Sequence, residues 1–281
     1  MMLNQKDIDV FNRDGVVHLK QKFSRRWLDV LDDAINESFD LPSPTLHNHS
    51  LDPSKPAYYE DFWSWNRFRG FQDFIFHSPA APLAAELMAA ERINLVMDNW
   101  FLREAGSTSM APFHHDISYF DFTGTMCVLW LPLEPVKKEN SLCWVRGSHL
   151  WDKLFMRVFF NDGHALGAGP CVVNGEQYEP PPDINGNPDR YDLLRFDFEP
   201  GDCAFFDMRT LHGSLKSVTT TASSRRYTLR MSAQDGAIRY RGDWAKAERA
   251  TMEAAGYRDG DTLEGSFFPR LWPRGQDGTP A

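Results

Sequence analysis

Residues 112–120 read Pro-Phe-His-His-Asp-Ile-Ser-Tyr-Phe. His114 and Asp116 stand two residues apart in a stretch that is otherwise apolar and aromatic. On an extended strand, positions i and i+2 share a face, so the imidazole and the carboxylate can meet one object. Burying both without a partner is unfavourable. A divalent metal ion compensates, because it neutralises the carboxylate and takes the imidazole lone pair. A solvated loop compensates too, with His114 as a satisfied turn histidine and Asp116 as a strand-end cap. His-x-Asp is a weak pattern by itself, and two ligands do not hold a catalytic metal.

A third ligand must come from the other histidines. His18, His47, His49 and His77 lie in the N-terminal part, and His164 sits in a Gly/Pro-rich stretch. His149, in Arg-Gly-Ser-His, follows a turn. His212 directly follows the strand-like run Asp-Cys-Ala-Phe-Phe-Asp-Met and precedes Gly213. A closed β fold can bring such a distant strand beside the first two ligands. His114, Asp116 and His212 would form a 2-His-1-carboxylate set with open coordination positions. That set suits non-haem Fe(II) and oxygen chemistry better than a closed zinc site.

The surrounding elements must position these groups. Residues 4–14 read as a helix stopped by Gly15, followed by the strand-like Val-Val-His-Leu. Ser24 is placed to cap a helix whose apolar stripe is Trp27, Val30, Leu31 and Ile35. Residues 40–60, with Pro, Ser, His and Asn, read as a loop. Residues 78–91 read as an alanine-rich helix with Ser78 as its cap. From Ile93 the chain turns to short β-rich runs separated by Gly, Pro, Asn and Asp, as expected for an antiparallel sandwich or barrel. Residues 152–190 interrupt that series with a long Gly/Pro-rich insertion, which predicts a lid-like segment with Tyr178, Arg190 and Tyr191 near a substrate mouth. The tail carries one helical stretch from Asp243. The expected organisation is a single unit over 1–281: helical cladding over 1–92, a β core over 93–233, and a C-terminal extension over 234–281.

Composition bounds the function. The formal net charge is −9, which argues against a nucleic-acid partner. No apolar run approaches the ~18 residues of a spanning helix, so no membrane span is expected. The four cysteines, Cys127, Cys143, Cys171 and Cys203, form no Cys-x-x-Cys pair and read as free thiols. With a polar N-terminus, the expected location is cytoplasmic.

Four segments together resemble the phytanoyl-CoA dioxygenase family. They are 112–120, the run from Val128 to His149, the run from Glu199 to Ser214, and Ser224 to Ala233. The helical opening from Asp7 is similar as well, so the resemblance covers most of the chain. It implies a mostly β fold with N-terminal helices and a double-stranded β-helix (jelly-roll, cupin-like) core. It also implies a dioxygenase using Fe(II), 2-oxoglutarate and O2, which hydroxylates an unactivated C–H bond of a small-molecule substrate with release of succinate and CO2. Position by position, His114, Asp116 and His212 match the iron ligands. The family's cosubstrate arginine follows the distal histidine by about a dozen residues, where Arg225 and Arg226 both stand. Alternation puts Arg226, Thr228 and Arg230 on one face and Arg225, Tyr227, Leu229 and Met231 on the other. The second set reads as core, so Arg226 with Thr228 is the preferred pair and Arg225 the alternative. An arginine fork suits a carboxylate because it is bidentate and permanently charged. Trp130 falls where the family places a cosubstrate-contacting tryptophan, and reads equally as core. Asn99 and Arg103 lie on the preceding strand and can face the site, although a lone arginine more often pairs with a surface carboxylate. Related halogenases carry a small residue in place of the carboxylate ligand, so Asp116 favours hydroxylation or another halide-free oxidation.

Two rival classes remain at this level. One is a cupin-like metalloenzyme using zinc or manganese, which would need no oxoglutarate arginine. The other is a binding barrel with a vestigial metal site. Neither the substrate nor the oligomeric state can be read from these residues.

Overall fold

The computed structural model describes residues 1–50, 52, 54–107, 110–159, 171–215, 221–241 and 245–274. Helix α1 (Gln5–Asp14) is set at both ends by local chemistry. The Asn4 side chain accepts the Asp7 N–H at 3.0 Å, and the Asp7 carboxylate accepts the Asn4 N–H at 3.4 Å. Gly15 closes the helix with φ 77°, and a Cβ there would collide with His149 and Thr210. Strand β1 (Val16–Leu19) follows, then helix α2 (Arg25–Asp40), preceded by Ser24 in an extended conformation without a side-chain cap.

The segment expected to be a loop contains a hairpin instead, β2 (His47–Asn48) and β3 (Tyr58–Phe62). Its strands are too short, and too rich in His, Asn and acidic residues, for period-2 hydrophobicity to show. Helix α3 (Arg69–His77) was not marked by any cap signal, and α4 (Ala80–Leu87) begins where the Ser78 hydroxyl accepts the Ala80 N–H at 3.3 Å.

The β region comprises β4 (Ile93–Arg103), β5 (Phe122–Thr123), β6 (Met126–Pro132), β7 (Cys143–Val145), β8 (Leu154–Phe155), β9 (Cys171–Val173), β10 (Glu176–Glu179), β11 (Leu193–Leu194), β12 (Cys203–Asp207), β13 (His212–Gly213), β14 (Ser224–Ser232), β15 (Ala237–Ile238) and β16 (Arg270–Trp272), with helix α5 (Lys246–Ala254) between the last two. The major sheet has the order β1-β12-β6-β14-β4-β3-β2, with β16 also on β4. Its pairings are all antiparallel. A smaller sheet, β11-β7-β13, faces it. This is the expected jelly-roll architecture, mostly β with N-terminal helices.

The two faces of the major sheet bury different things. One face packs on the helices, where Leu129, Leu131, Tyr227 and Leu229 meet Phe71, Phe74 and Leu28 in one core, and Phe71 stacks on Tyr227 at 5.3 Å. The other face meets the small sheet, where Trp130, Val128 and Phe206 pack on Trp144. This second layer opens into a cavity. The insertion is not a plain loop: β10 pairs with β8 and β9 to make a third small sheet. His164 lies outside the described residues. No disulfide links the four cysteines.

Candidate metal centre and its cavity

His114 and His212 form an isolated antiparallel bridge. The His114 N–H donates to the His212 carbonyl at 2.9 Å, and the His212 N–H donates back at 2.8 Å. Directly opposed residues of this kind project their side chains to one face, and the two rings lie 4.3 Å apart. Gly213 permits this approach, since a Cβ on it would come within 2.8 Å of the Phe113 backbone. The His-x-Asp segment is not an extended strand throughout. Asp116 instead opens a 3-10 turn (Asp116–Ser118), held by the Ile117 N–H donating to the Met208 carbonyl at 3.0 Å. That turn brings Asp116 Oδ1 to 3.3 Å from His114 Nε2 and 3.6 Å from His212 Nε2. All three side chains are buried, and their ligand atoms lie within 4.8 Å of one another. His115 points away, and its Nε2 accepts the Phe155 N–H at 3.0 Å.

Backbone carbonyls decide the tautomers. His114 Nδ1 lies 2.7 Å from the Pro112 carbonyl and His212 Nδ1 lies 3.0 Å from that of Thr210. A carbonyl only accepts, so both Nδ1 atoms carry hydrogen and both Nε2 lone pairs face the shared space. Burial, with the neighbouring His114, lowers His212 to about 3, keeping it neutral. For Asp116 burial alone would raise the pKa, but the adjacent Arg230 charge outweighs it and holds the carboxyl well below its ordinary value. Arg230 Nε and Nη2 donate to Oδ2 at 2.8 and 2.7 Å, which leaves Oδ1 toward the histidines. Arg230 also donates to Asn99 Oδ1, Asn99 donates to Glu60 Oε1 at 2.8 Å, and Glu60 Oε2 lies 2.7 Å from His49 Nε2. Two imidazole Nε2 atoms and one ionised carboxylate oxygen, converging in a buried space, fit a divalent transition metal.

The three side chains line a cavity of about 430 Å³. Arg226, Thr228, Trp130 and Asn99 line it as well. The Arg226 guanidinium lies over Tyr58 at 5.6 Å and Phe101 at 6.0 Å, with no carboxylate partner among the described residues. Thr228 Oγ1 is 3.5 Å from the Asn99 carbonyl. Trp130 serves both wall and core, its ring edge-on to Phe198 at 4.8 Å. Arg225 is not brought to this cavity. Its Nε donates to Glu134 at 2.9 Å and its guanidinium meets Asp32 of α2, because alternation turns it to the helix side. Arg103 pairs with no carboxylate among the described residues and donates to the Ser107 carbonyl at 2.8 Å. His149 belongs to a supporting turn, where Ser148 Oγ accepts the Leu211 N–H at 2.8 Å just before His212.

The family model for phytanoyl-CoA dioxygenase (PhyH) matches residues 11–227. This chain belongs to the phytanoyl-CoA dioxygenase family. Among solved structures, the non-haem α-ketoglutarate-dependent epimerase SnoN from nogalamycin biosynthesis is 19% identical over 97% of both chains, with a TM-score of 0.74. The α-ketoglutarate-dependent carbocyclase SnoK from the same biosynthesis is 17% identical over 96% of both chains, at 0.72. EctD from S. alaskensis, solved with 2-oxoglutarate and 5-hydroxyectoine, is 15% identical over 84% of this chain and 78% of its own, at 0.60. At such identities the likeness establishes the fold. No curated protein matches the chain. No helix among the described residues is long and apolar enough to cross a membrane.

Several cavity residues of this family member were not marked by sequence reasoning. Arg230 carried a usable signal, since it shares the face of Arg226 and Thr228. The β2–β3 hairpin contributes His47, His49, Tyr58 and Glu60. In the insertion, the expected residues are not the ones that line the cavity. Tyr178 is fully buried, donating to Glu176 at 2.7 Å and accepting from Arg241 at 3.2 Å; Arg190 is exposed, and Tyr191 packs beside Trp151. Arg157, Val158 and Phe159 line the cavity in their place. Helix α5, which lies beyond the family match, adds Glu248.

Proposed function

We propose that this chain is an Fe(II)- and 2-oxoglutarate-dependent dioxygenase that hydroxylates an unactivated C–H bond of a small molecule, with release of succinate and CO2. The observation that carries this reading is the buried His114–Asp116–His212 cluster sharing one cavity with a guanidinium, Arg226, that has no carboxylate partner among the described residues. In this reading His114 Nε2, His212 Nε2 and Asp116 Oδ1 hold the metal. Bound Fe(II) and 2-oxoglutarate, with O2, supply the oxidising chemistry, and the protein supplies position and exclusion of water.

Arg226 takes the distal carboxylate of the 2-oxo acid, held for it by the Tyr58 and Phe101 rings. Thr228 offers a hydroxyl one pleat further along the same face, and Trp130 and Asn99 wall the space. Arg230 fixes the second oxygen of Asp116, so the carboxylate presents a single oxygen inward. The carboxylate ligand occupies the place a halide would need, which favours a halide-free oxidation. A second outcome, ring closure or epimerisation at carbon, is favoured by the full-length likeness to SnoK and SnoN. Product mass separates the two, since only hydroxylation adds an oxygen atom.

Oxygen-free reconstitution with Fe(II) and 2-oxoglutarate tests the assignment. A broad visible charge-transfer band is expected in wild type and is expected to vanish in His212→Ala. A colourless, well-folded wild type would instead indicate a zinc enzyme or a binding barrel.

A further inference from the structure

Three acidic side chains line the cavity, and two of them are already satisfied. Asp116 is held by Arg230, and Glu60 is engaged by Asn99 and His49. Glu248 is different. Its residue is 7% exposed, and the hydrogen bond its carboxyl receives comes from its own backbone N–H. Arg157 stays 3.8 Å away with its guanidinium laid over the Tyr119 ring.

The position of Glu248 is fixed by the fold. The next residue, Arg249, donates to Asp121 at 2.6 and 3.2 Å. Asp121 is fully buried and also accepts the Arg241 N–H at 2.8 Å. Helix α5 is thereby tied to the β core beside Phe122, with Glu248 directed into the cavity. A buried carboxylate with no close side-chain donor is destabilising unless a ligand supplies further hydrogen bonds. The wall also has an apolar share, Phe62, Phe120, Leu142, Val158 and Phe159, beside its histidines and the arginines Arg157, Arg226 and Arg230. Burial raises the Glu248 carboxyl; the hydrogen bond from its own backbone N–H and the Arg157 charge oppose the rise, and the charges of Asp121 and Glu60 add to it.

We propose that Glu248 selects the substrate: it accepts a hydrogen bond from a hydroxyl or ammonium group on an otherwise apolar, ring-sized molecule, and it disfavours carboxylate- or phosphate-bearing ones. This deepens the oxygenase reading and rests on it for the site's chemistry, but not for binding itself. Helix α5 lies beyond the residues that the family model matches.

The test uses three probes on one bicyclic frame: 2-aminotetralin, 2-tetralol and tetralin-2-carboxylate. Binding to the full chain is read in two ways. One is perturbation of the anaerobic Fe(II)–2-oxoglutarate band, and the other is tryptophan fluorescence of the metal-free protein. In wild type the amine and the alcohol are expected to bind about tenfold or more tightly than the carboxylate, the scale of a hydrogen bond to a charged group. The isosteric Glu248→Gln variant is expected to lose most of that preference, and Glu248→Asp to retain part of it. The proposal is overturned if Glu248→Gln keeps the wild-type ranking, or if wild type binds the carboxylate as well as the amine or binds none of the three. Selectivity seen by fluorescence without any visible band would uphold Glu248 and reject the iron and oxoglutarate assignment.

Discussion

Asp98 and Asp116 are both buried, and they lie on opposite sides of the major sheet. Asp98, on β4, faces the helices. Its Oδ2 accepts the Tyr227 hydroxyl at 3.1 Å, and its Oδ1 has no hydrogen-bond partner. Burial pushes its carboxyl up to about 7, with the nearby Asp61 adding to the rise. Asp116 faces the cavity, and there the Arg230 guanidinium outweighs the same burial and keeps it ionised. Residue type and exposure are alike, so the neighbour alone decides the charge. One face of the sheet is a dry core that tolerates a carboxyl by protonating it. The other face holds a carboxylate charged and turned toward two imidazoles, which is what a cation needs.

The largest effect that would break this contrast is expected from Asp116→Ala. It should abolish both the Fe(II)–2-oxoglutarate band and substrate-driven succinate formation, and full retained turnover would reject the ligand assignment.

Asp98 provides the next effect, on stability. Its folded pKa stands above the ordinary 3.8, so the folded state holds this proton more tightly than the unfolded chain does. Stability from this group is present in full at low pH and is lost as pH rises from about 4 through about 7. At roughly 1.4 kcal/mol per unit, the loss is on the order of 4 kcal/mol. Thermal melts across that window should fall in wild type and flatten in Asp98→Asn, while an unchanged slope would show that Asp98 is ionised throughout.

A third prediction sharpens the same inside–outside division on β14. Arg226→Met should raise the KM for 2-oxoglutarate about tenfold or more, the scale of charge-assisted hydrogen bonds. Arg225→Met should leave that KM alone and lower stability by less than about 1 kcal/mol, since its pairs with Glu134 and Asp32 are partly exposed. Equal KM effects from both variants would contradict the assignment of faces.

The smallest effect is expected at the turn that supports His212. Ser148→Ala removes the acceptor for the Leu211 N–H and should cost about 1 kcal/mol in denaturant melts. An unchanged midpoint would show that the turn does not support His212.

Local patterns carried much of this molecule. The capping residues of α1, the Gly15 stop and the alternation along β14 are all written in short windows, where a single periodicity or a single cap suffices. The β2–β3 hairpin was invisible because its strands are short and polar, and it pairs with residues some forty positions away on β4. The 3-10 turn at Asp116 was equally invisible, since it is held by a carbonyl from Met208.

By itself, then, the amino-acid sequence determined which side chains lie on a common face and which chemistry those types can perform. Tertiary structure alone decided what stands opposite each of them. It set Arg230 against Asp116, Glu134 against Arg225, and Glu248 against an open space. The physical reason is that periodicity is a property of one segment, whereas charge state and hydrogen-bond partnership in a buried site depend on groups brought together from distant segments of the chain.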